Sequence, residues 1–227
     1  MPRVLPLTLC CVVVAALTAA ADHHKKDEKK EEKKPECKCI DLLAGGNLSA
    51  WQTASGKEPP ATWQVNDGVL SLEGKGSYIW TKEQFGDFQL TFEFKTWGNS
   101  GVFFRTGDPM DPVQTGLEMQ VHNPSNTPSM HSVGALYDAR APAKDTAKMG
   151  EWNKATITAK GPELTFEING EVVIEANLDD WDTPGKNPDG SKNKYKKALK
   201  DFPRKGHIGL QDHGAKVMFR DIEIKPL

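Results

Sequence analysis

The chain has 227 residues, 37% hydrophobic, 8% aromatic and 26% charged, the make-up of one globular domain with tails. Its 29 Lys and Arg against 31 Asp and Glu leave a formal charge of −2, so no basic excess drives general binding to nucleic acid or anionic lipid. Its apolar runs are too few and too short for a polytopic membrane protein.

In chain order, residues 1–21 read as a signal peptide: Arg3 supplies the positive start, Leu5 to Leu17 the apolar run, and Ala19-Ala20-Ala21 the small residues a signal peptidase accepts. The run is short for a bilayer span and no second one follows. The expectation is therefore an exported chain, periplasmic or extracellular, with no integral membrane span after cleavage. Residues 22–39 read as a charged, disordered tether, with His23-His24 and the run DEKKEEKK and nothing that could form a core. Cleavage leaves Cys37 and Cys39. A Cys-x-Cys pair closes only a small, strained ring, and two sulfurs fall short of a structural zinc site, so the pair reads as part of the tether.

Residues 40–227 read as a single all-β domain. Trp63 to Val65 and Val69 to Leu72 flank Asn66-Asp67-Gly68 as a hairpin. Phe88 to Lys95 alternates, with Phe88, Leu90, Phe92 and Phe94 on one face. Ala155 to Lys160, Leu164 to Ile168 and Val172 to Ile174, broken at Gly161-Pro162 and Asn169-Gly170, form a meander. His207 to Asp212 and Val217 to Ile224 close the chain. One short helical piece falls around Lys196 to Asp201. Turn signals about every 8–12 residues point to a β-sandwich or barrel.

Alternation also bears on chemistry. In Gly116 to His122, Leu117, Met119 and Val121 share one face, while Glu118, Gln120 and His122 share the other at about 7 Å spacing, two strand rises. In Gly101 to Arg105, Val102 and Phe104 oppose Phe103 and Arg105. In His207 to His213, Ile208 and Leu210 oppose Gln211 and His213. An antiparallel sheet wetted on one side produces the same alternation. The recurrence of Gln, His and Arg beside Gly and aromatics favours a shared cleft, and on composition alone a carbohydrate binder.

The pieces WQVNDGVLSLEG (63–74), FGDFQLTFEFKTWGNSGVFFR (85–105), GLEMQVHN (116–123), GALYD (134–138), GEWN (150–153), ING (168–170), GHIGLQDHG (206–214) and VMFRDIEI (217–224) stand in an order that resembles the 3-keto-disaccharide hydrolase domain family. The likeness runs from about Ile40 to Leu227, with Phe219-Arg220-Asp221-Ile222 where the family usually reads FRNI. It implies a concanavalin A-like jelly roll of two antiparallel sheets with a sugar-holding concave face. It also implies cleavage of glycosides, oligosaccharides among them, whose glucose-type ring is already a ketone at C3. That ketone acidifies the C2 hydrogen. A base can then form an enolate that expels the glycosidic oxygen, after which water adds. The route needs a base, an oxyanion stabiliser and an acid, not the opposed carboxylates of ordinary glycosidases.

On this resemblance the catalytic candidates are His122, His131 and His213, with His122 or His131 as base because imidazole titrates near neutrality. Arg105 would hold the enolate oxygen or a sugar hydroxyl. Glu118 and Gln120 would bind hydroxyls or orient a histidine, and Gln211, Asn99 and Tyr137 complete the substrate contacts. The His and carboxylate set also suits a divalent metal ion polarising the ketone. The structural alternatives are a Glu118–Arg105 ion pair, His213 as a strand cap, and Gly98 to Gly101 as a simple turn. Trp97, Trp152 and Trp181 are sugar platforms or buried aromatics. Asp179 to Lys205 is a long insertion, a lid or a solvated loop. Two further readings stand beside the enzyme: a non-catalytic, lectin-like module of the cell envelope, and an envelope scaffold.

Overall fold

Alternating apolar and polar residues become two stacked antiparallel sheets in the computed structural model, which describes residues 39–227. The expectations for the leader, the tether through residue 38 and Cys37 lie outside the described residues. Thirteen strands lie among the described residues: β1 (Ile40–Asp41), β2 (Trp51–Gln52), β3 (Trp63–Asn66), β4 (Val69–Leu72), β5 (Ile79–Thr81), β6 (Phe88–Thr96), β7 (Ser100–Thr106), β8 (Leu117–Val121), β9 (Asn153–Lys160), β10 (Glu163–Ile168), β11 (Glu171–Asn177), β12 (His207–Leu210) and β13 (Val217–Pro226). The larger sheet runs β11-β10-β9-β6-β13-β4-β3, with β1 also paired to β13. The smaller runs β2-β5-β12-β7-β8. This is the expected jelly-roll sandwich.

Turn chemistry sets the hairpins. Asp67 and Gly68 both have positive φ (50° and 76°) between β3 and β4, as do Asn169 and Gly170 (53° and 81°) between β10 and β11. Paired positive φ is the twist that suits a two-residue hairpin, and Asn, Asp and Gly tolerate it best. The core lies between the sheets. Phe88, Leu90, Phe92 and Phe94 of β6 are at most 1% exposed, and so are Val102, Phe104, Leu117, Met119, Ile208 and Leu210 of the smaller sheet. Phe104 meets Phe88 and Phe166 edge-on at ring-centre distances of 6.3 and 5.7 Å, tying the sheets together. Burying each such side chain contributes about 1.5–3 kcal/mol.

Three local expectations shift. The helical piece near Lys196 shortens to a 3-10 turn at Leu199–Asp201, and β12 ends at Leu210 rather than Asp212. A one-turn helix, α1 (Pro112–Thr115), follows β7 and begins on a proline, which suits a first helical position.

Candidate functional site

On the face of the smaller sheet turned away from the core, β8 presents Glu118 and Gln120, β7 Gly101 and Phe103, β12 Gly209, and β5 Trp80; Gln211 follows β12 directly. Glu118, Gln120 and Gln211 are buried to 4%, 2% and 7% exposure, so this polar face is not a wetted one. What covers it is chain. Residues 134–137 zip onto the free edge of β8: the Tyr137 N–H donates to the Glu118 carbonyl (3.0 Å), Gln120 N–H to the Ala135 carbonyl (3.0 Å) and Gly134 N–H to the Gln120 carbonyl (2.8 Å). The segment Asn187–Tyr195 lies over Asp138: Asn187 Nδ2 donates to the Asp138 carbonyl (3.4 Å) and Lys194 N–H to Asp138 Oδ2 (2.7 Å). Gln114 of α1 holds both sides of Tyr195, donating to the Lys194 carbonyl (3.2 Å) and accepting from Lys196 N–H (2.8 Å).

Glu118 stands at the centre. Gln211 Nε2 donates to its Oε1 at 3.2 Å. Burial pushes its pKa from the ordinary 4.5 up to about 8, against the opposing pull of the Lys194 ammonium and the Gln211 amide. Burial and the nearby Glu118 charge raise the phenols of Tyr78, Tyr137 and Tyr195. Burial lowers the Lys194 pKa, while Glu118 and Asp138 hold it up; its Nζ sits 3.7 Å from the Tyr137 ring centre. Tyr195 is buried and donates its hydroxyl to the Tyr137 carbonyl. A buried carboxyl of raised pKa, ringed by phenols and one ammonium, can move a proton near neutral pH and stabilise negative charge beside it.

Two glycines make this possible. A Cβ at Gly101 would lie 2.1 Å from Glu118 Oε1, and one at Gly209 would lie 2.3 Å from the Trp80 ring. Neither position tolerates a side chain while Glu118 and Trp80 keep their places. Three buried polar atoms on this face, Trp80 Nε1, Gln120 Oε1 and Gln211 Oε1, have no hydrogen-bond partner among the described residues. Buried polar atoms rarely stay unpaired in a native fold, and a polyhydroxylated ligand supplies both donors and acceptors.

The structure sorts the anticipated residues. Glu118, Gln120, Gln211 and Tyr137 come together. Asn99 joins them by accepting from Gln120 Nε2 at 3.2 Å, and the same amide donates to the His131 carbonyl at 3.2 Å. His131 borders the group: its Nε2 lies 3.0 Å from Asp138 Oδ1 and its ring 5.0 Å from that of Tyr137. His122, just past β8, accepts the Asn123 N–H on Nδ1 (2.8 Å). His213 is exposed in the turn between β12 and β13. Neither reaches Glu118 through a hydrogen bond.

Arg105 is a correction. It is fully buried, and its guanidinium donates to the Gly86 carbonyl (3.0 Å), the Gly161 carbonyl (2.7 Å) and Asp87 Oδ1 (2.8 Å). The register between β7 and β12 shifts between His207 and Gly209, and Arg105 takes φ 50°. This bulge turns its side chain from the polar face to the end of the larger sheet. Arg105 is a strut between the sheets, and the anticipated Glu118–Arg105 ion pair is absent. Trp181 is likewise buried, donating to Asn187 Oδ1 at 2.9 Å under the Arg140 guanidinium. Trp97 is 43% exposed, with Lys95 and Lys216 against its ring.

Among the described residues, no three His, Cys, Asp or Glu groups come close enough to hold a metal ion. The imidazole and second carboxylate nearest the group, His131 and Asp138, bond to each other at 3.0 Å. Sequence reasoning missed Tyr78, Trp80, Asp138, Lys194 and Tyr195 as members of the site. Lys194 is one lysine of a run, and only the bonds from Asp138 and Gln114 single it out.

Comparison with known proteins gives the family and a shared fold. Residues 38–225 match the family model described as a 3-keto-alpha-glucoside-1,2-lyase-like domain. A curated relative, the 3-keto-disaccharide hydrolase of Bacteroides thetaiotaomicron, is 26% identical over 226 residues, covering 83% of this chain and 78% of the relative. A crystal structure from Parabacteroides distasonis, described as a candidate glycosyl hydrolase, superposes with a TM-score of 0.76 at 32% identity over 84% of this chain and 100% of its own. A second from the same organism, similarly described, gives a TM-score of 0.68 at 25% identity over 83% of this chain and 94% of its own. With a carboxyl-centred site on a jelly-roll sandwich and a family match across nearly all of the described residues, the chain belongs to the 3-keto-alpha-glucoside-1,2-lyase-like domain family.

Proposed function

We propose that this protein is an exported enzyme that cleaves 3-keto-glucosides by elimination and rehydration, with Glu118 as the base. The observation that carries the reading is the Glu118 carboxyl, buried at 4% exposure with its pKa at about 8 among neutral donors and one ammonium. Ionised Glu118 takes the C2 proton of the bound keto-sugar, and the C–H electron pair passes into an enolate on the C3 oxygen. The enolate collapses to a C1–C2 double bond, and the C1–O bond breaks with its electron pair leaving on the aglycone oxygen. Tyr78 and Tyr137 phenols, kept protonated by burial, supply hydrogen bonds and a proton to oxygens that gain charge. The Lys194 ammonium favours both the Glu118 carboxylate and the enolate that replaces its charge. Water then adds, hydroxyl to C1 and proton to C2, and the 3-keto-sugar is released as a hemiacetal. The unpaired Gln120 and Gln211 oxygens and the Trp80 N–H would meet ring hydroxyls.

The support is the site chemistry, the family membership and the similarity to a named 3-keto-disaccharide hydrolase. The test is turnover of 4-nitrophenyl 3-keto-glucoside beside the unoxidised glucoside. Phenol release from the keto-sugar alone, rising with pH through about 8, is expected, and Glu118→Gln should lower kcat by about 10²–10⁴. Equal cleavage of both glucosides, or full activity in Glu118→Gln, would overturn the reading. Binding of the keto-sugar without turnover would leave a lectin-like module.

A further inference from the structure

The long insertion between β11 and β12 is fastened to the candidate site, and the fastening centres on Asp138. Asp138 Oδ2 accepts the Lys194 N–H at 2.7 Å, and its carbonyl accepts Asn187 Nδ2 at 3.4 Å, so both ends of the 187–194 stretch meet one residue. Its Oδ1 lies 3.0 Å from His131 Nε2, and its own N–H donates to the Met130 carbonyl at 2.9 Å. Every polar group of Asp138 is engaged. The preceding residue adds two ties: the Tyr137 N–H donates to the Glu118 carbonyl at 3.0 Å, and the Tyr137 carbonyl accepts the Tyr195 hydroxyl.

Asp138 also takes φ 58°, in the left-handed region that Asp and Asn tolerate better than most side chains. A non-glycine residue keeps that conformation only where its surroundings hold it, and such residues cluster where function needs a fixed geometry. The geometry fixed here is that of Lys194. Its backbone is gripped on both sides, by Asp138 at its N–H and by Gln114 Nε2 at its carbonyl (3.2 Å), and its Nζ lies 3.7 Å from the Tyr137 ring centre. Lys194 is an exposed residue, and an exposed lysine on a free loop would have to be ordered anew for each reaction. Among the described residues, Lys194 is the cation that acts on Glu118, while Tyr78, Tyr137 and Tyr195 feel the Glu118 charge as neutral phenols. Asp138 acts on Tyr137, Tyr195 and Lys194, and Asp212 on Tyr78.

We propose that Asp138 is a positioning residue, which clamps the insertion so that the Lys194 ammonium stands over the Tyr137 ring beside the proposed base. Asp138 acts through Lys194 and not on the sugar, and the insertion is a built wall of the site. The consequences for turnover rest on the proposed Glu118 chemistry; the clamp does not.

The test follows the Glu118 carboxyl carbon by NMR across pH in the full-length protein without substrate, with Glu118→Gln assigning the signal. Asp138→Gly removes the carboxylate without straining the backbone. With the clamp gone the ammonium is no longer held, and Glu118 should titrate at least about half a pH unit above its wild-type value of about 8. Lys194→Met should give the same rise, and the double variant no more than either single one, because both act through one ammonium. Asp138→Asn still offers an oxygen to the Lys194 N–H and tolerates the same backbone, so it should stay closer to wild type. Circular dichroism checks the fold, and Asp138→Ser, too short to reach both partners, is a second variant in which the rise is expected. A fall in Asp138→Gly would mean that Asp138 acts through its own charge. That result, no change, rises that add in the double variant, or an Asp138→Asn value as high as that of Asp138→Gly would each overturn the proposal. In turnover of the keto-glucoside, Asp138→Gly should lower kcat about tenfold with KM held within about twofold, and a rise in KM with kcat intact would also overturn it. Wild-type protein without turnover would sink the cleavage reaction alone, since the titration still decides the clamp.

Discussion

The two sheets are built on the same alternation and end in opposite environments. Along β6 of the larger sheet, buried and half-buried residues alternate strictly, so Gln89, Thr91, Glu93 and Lys95 stay in contact with water. In β7 and β8 of the smaller sheet every residue is buried, although the sequence of β8 alternates just as plainly. The difference lies in what closes off the outer face: residues 134–137 extend the sheet at the β8 edge, and the Asn187–Tyr195 segment, bonded to Asp138, brings Lys194 to the Tyr137 ring. A polar strand face left to solvent stabilises by being wet. The same face under a cover raises the Glu118 pKa and leaves three polar atoms unpaired. The covered sheet is therefore the one that can do chemistry.

The sharpest way to break this contrast is to crowd the covered face. Gly101→Ala places a methyl where Glu118 Oε1 now sits, 2.1 Å away, and should cost about 10² in kcat/KM with the fold intact by circular dichroism. Removing the ammonium comes next. Lys194→Met takes away the charge that holds the Glu118 pKa down, so the alkaline rise in kcat/KM should move to higher pH, and a profile that stays in place would exclude Lys194 from the site.

A third measurement reads the covered carboxyl through stability. Glu118 keeps its proton up to about pH 8 in the folded protein and ordinarily loses it near 4.5. Between those values the folded state binds more protons than the unfolded chain, so stability falls as pH rises across that window, and the loss is complete above it. Thermal melts from pH 5 to 9 should show this fall in the wild type and a flatter curve in Glu118→Gln. The smallest effect belongs to the wetted face: Thr91→Ser on β6 should change unfolding free energy by no more than about 0.5 kcal/mol and leave turnover alone. A large effect there would mean that the outer face of the larger sheet is not simply solvated.

How far the site was legible depends on the range of the signal. Glu118, Gln120 and Gln211 could be read from period-two alternation because they sit in regular strand or just beyond its end, where side-chain direction follows from position. Arg105 obeyed the same rule on paper and breaks it in the fold, since a bulge with φ 50° re-aims it toward Asp87 and Gly161. A bulge arises from pairing with β12, about a hundred residues on, and no local pattern announces it. The histidines looked strongest because imidazole titrates near neutrality in water. Burial gives a carboxyl that property instead, and burial is not written in the strand that carries it.

The amino-acid sequence alone determined an all-β sandwich or barrel and the hairpins at Asp67-Gly68 and Asn169-Gly170, because backbone preference and apolar periodicity act over a few residues at a time, and the family resemblance narrowed this to two antiparallel sheets. Tertiary structure alone decided that Lys194 and Tyr78 share a site with Glu118, that Arg105 is a strut, and that Glu118 holds its proton to about pH 8. Those outcomes depend on which distant segments exclude water from one carboxyl, and desolvation is a property of the assembled fold.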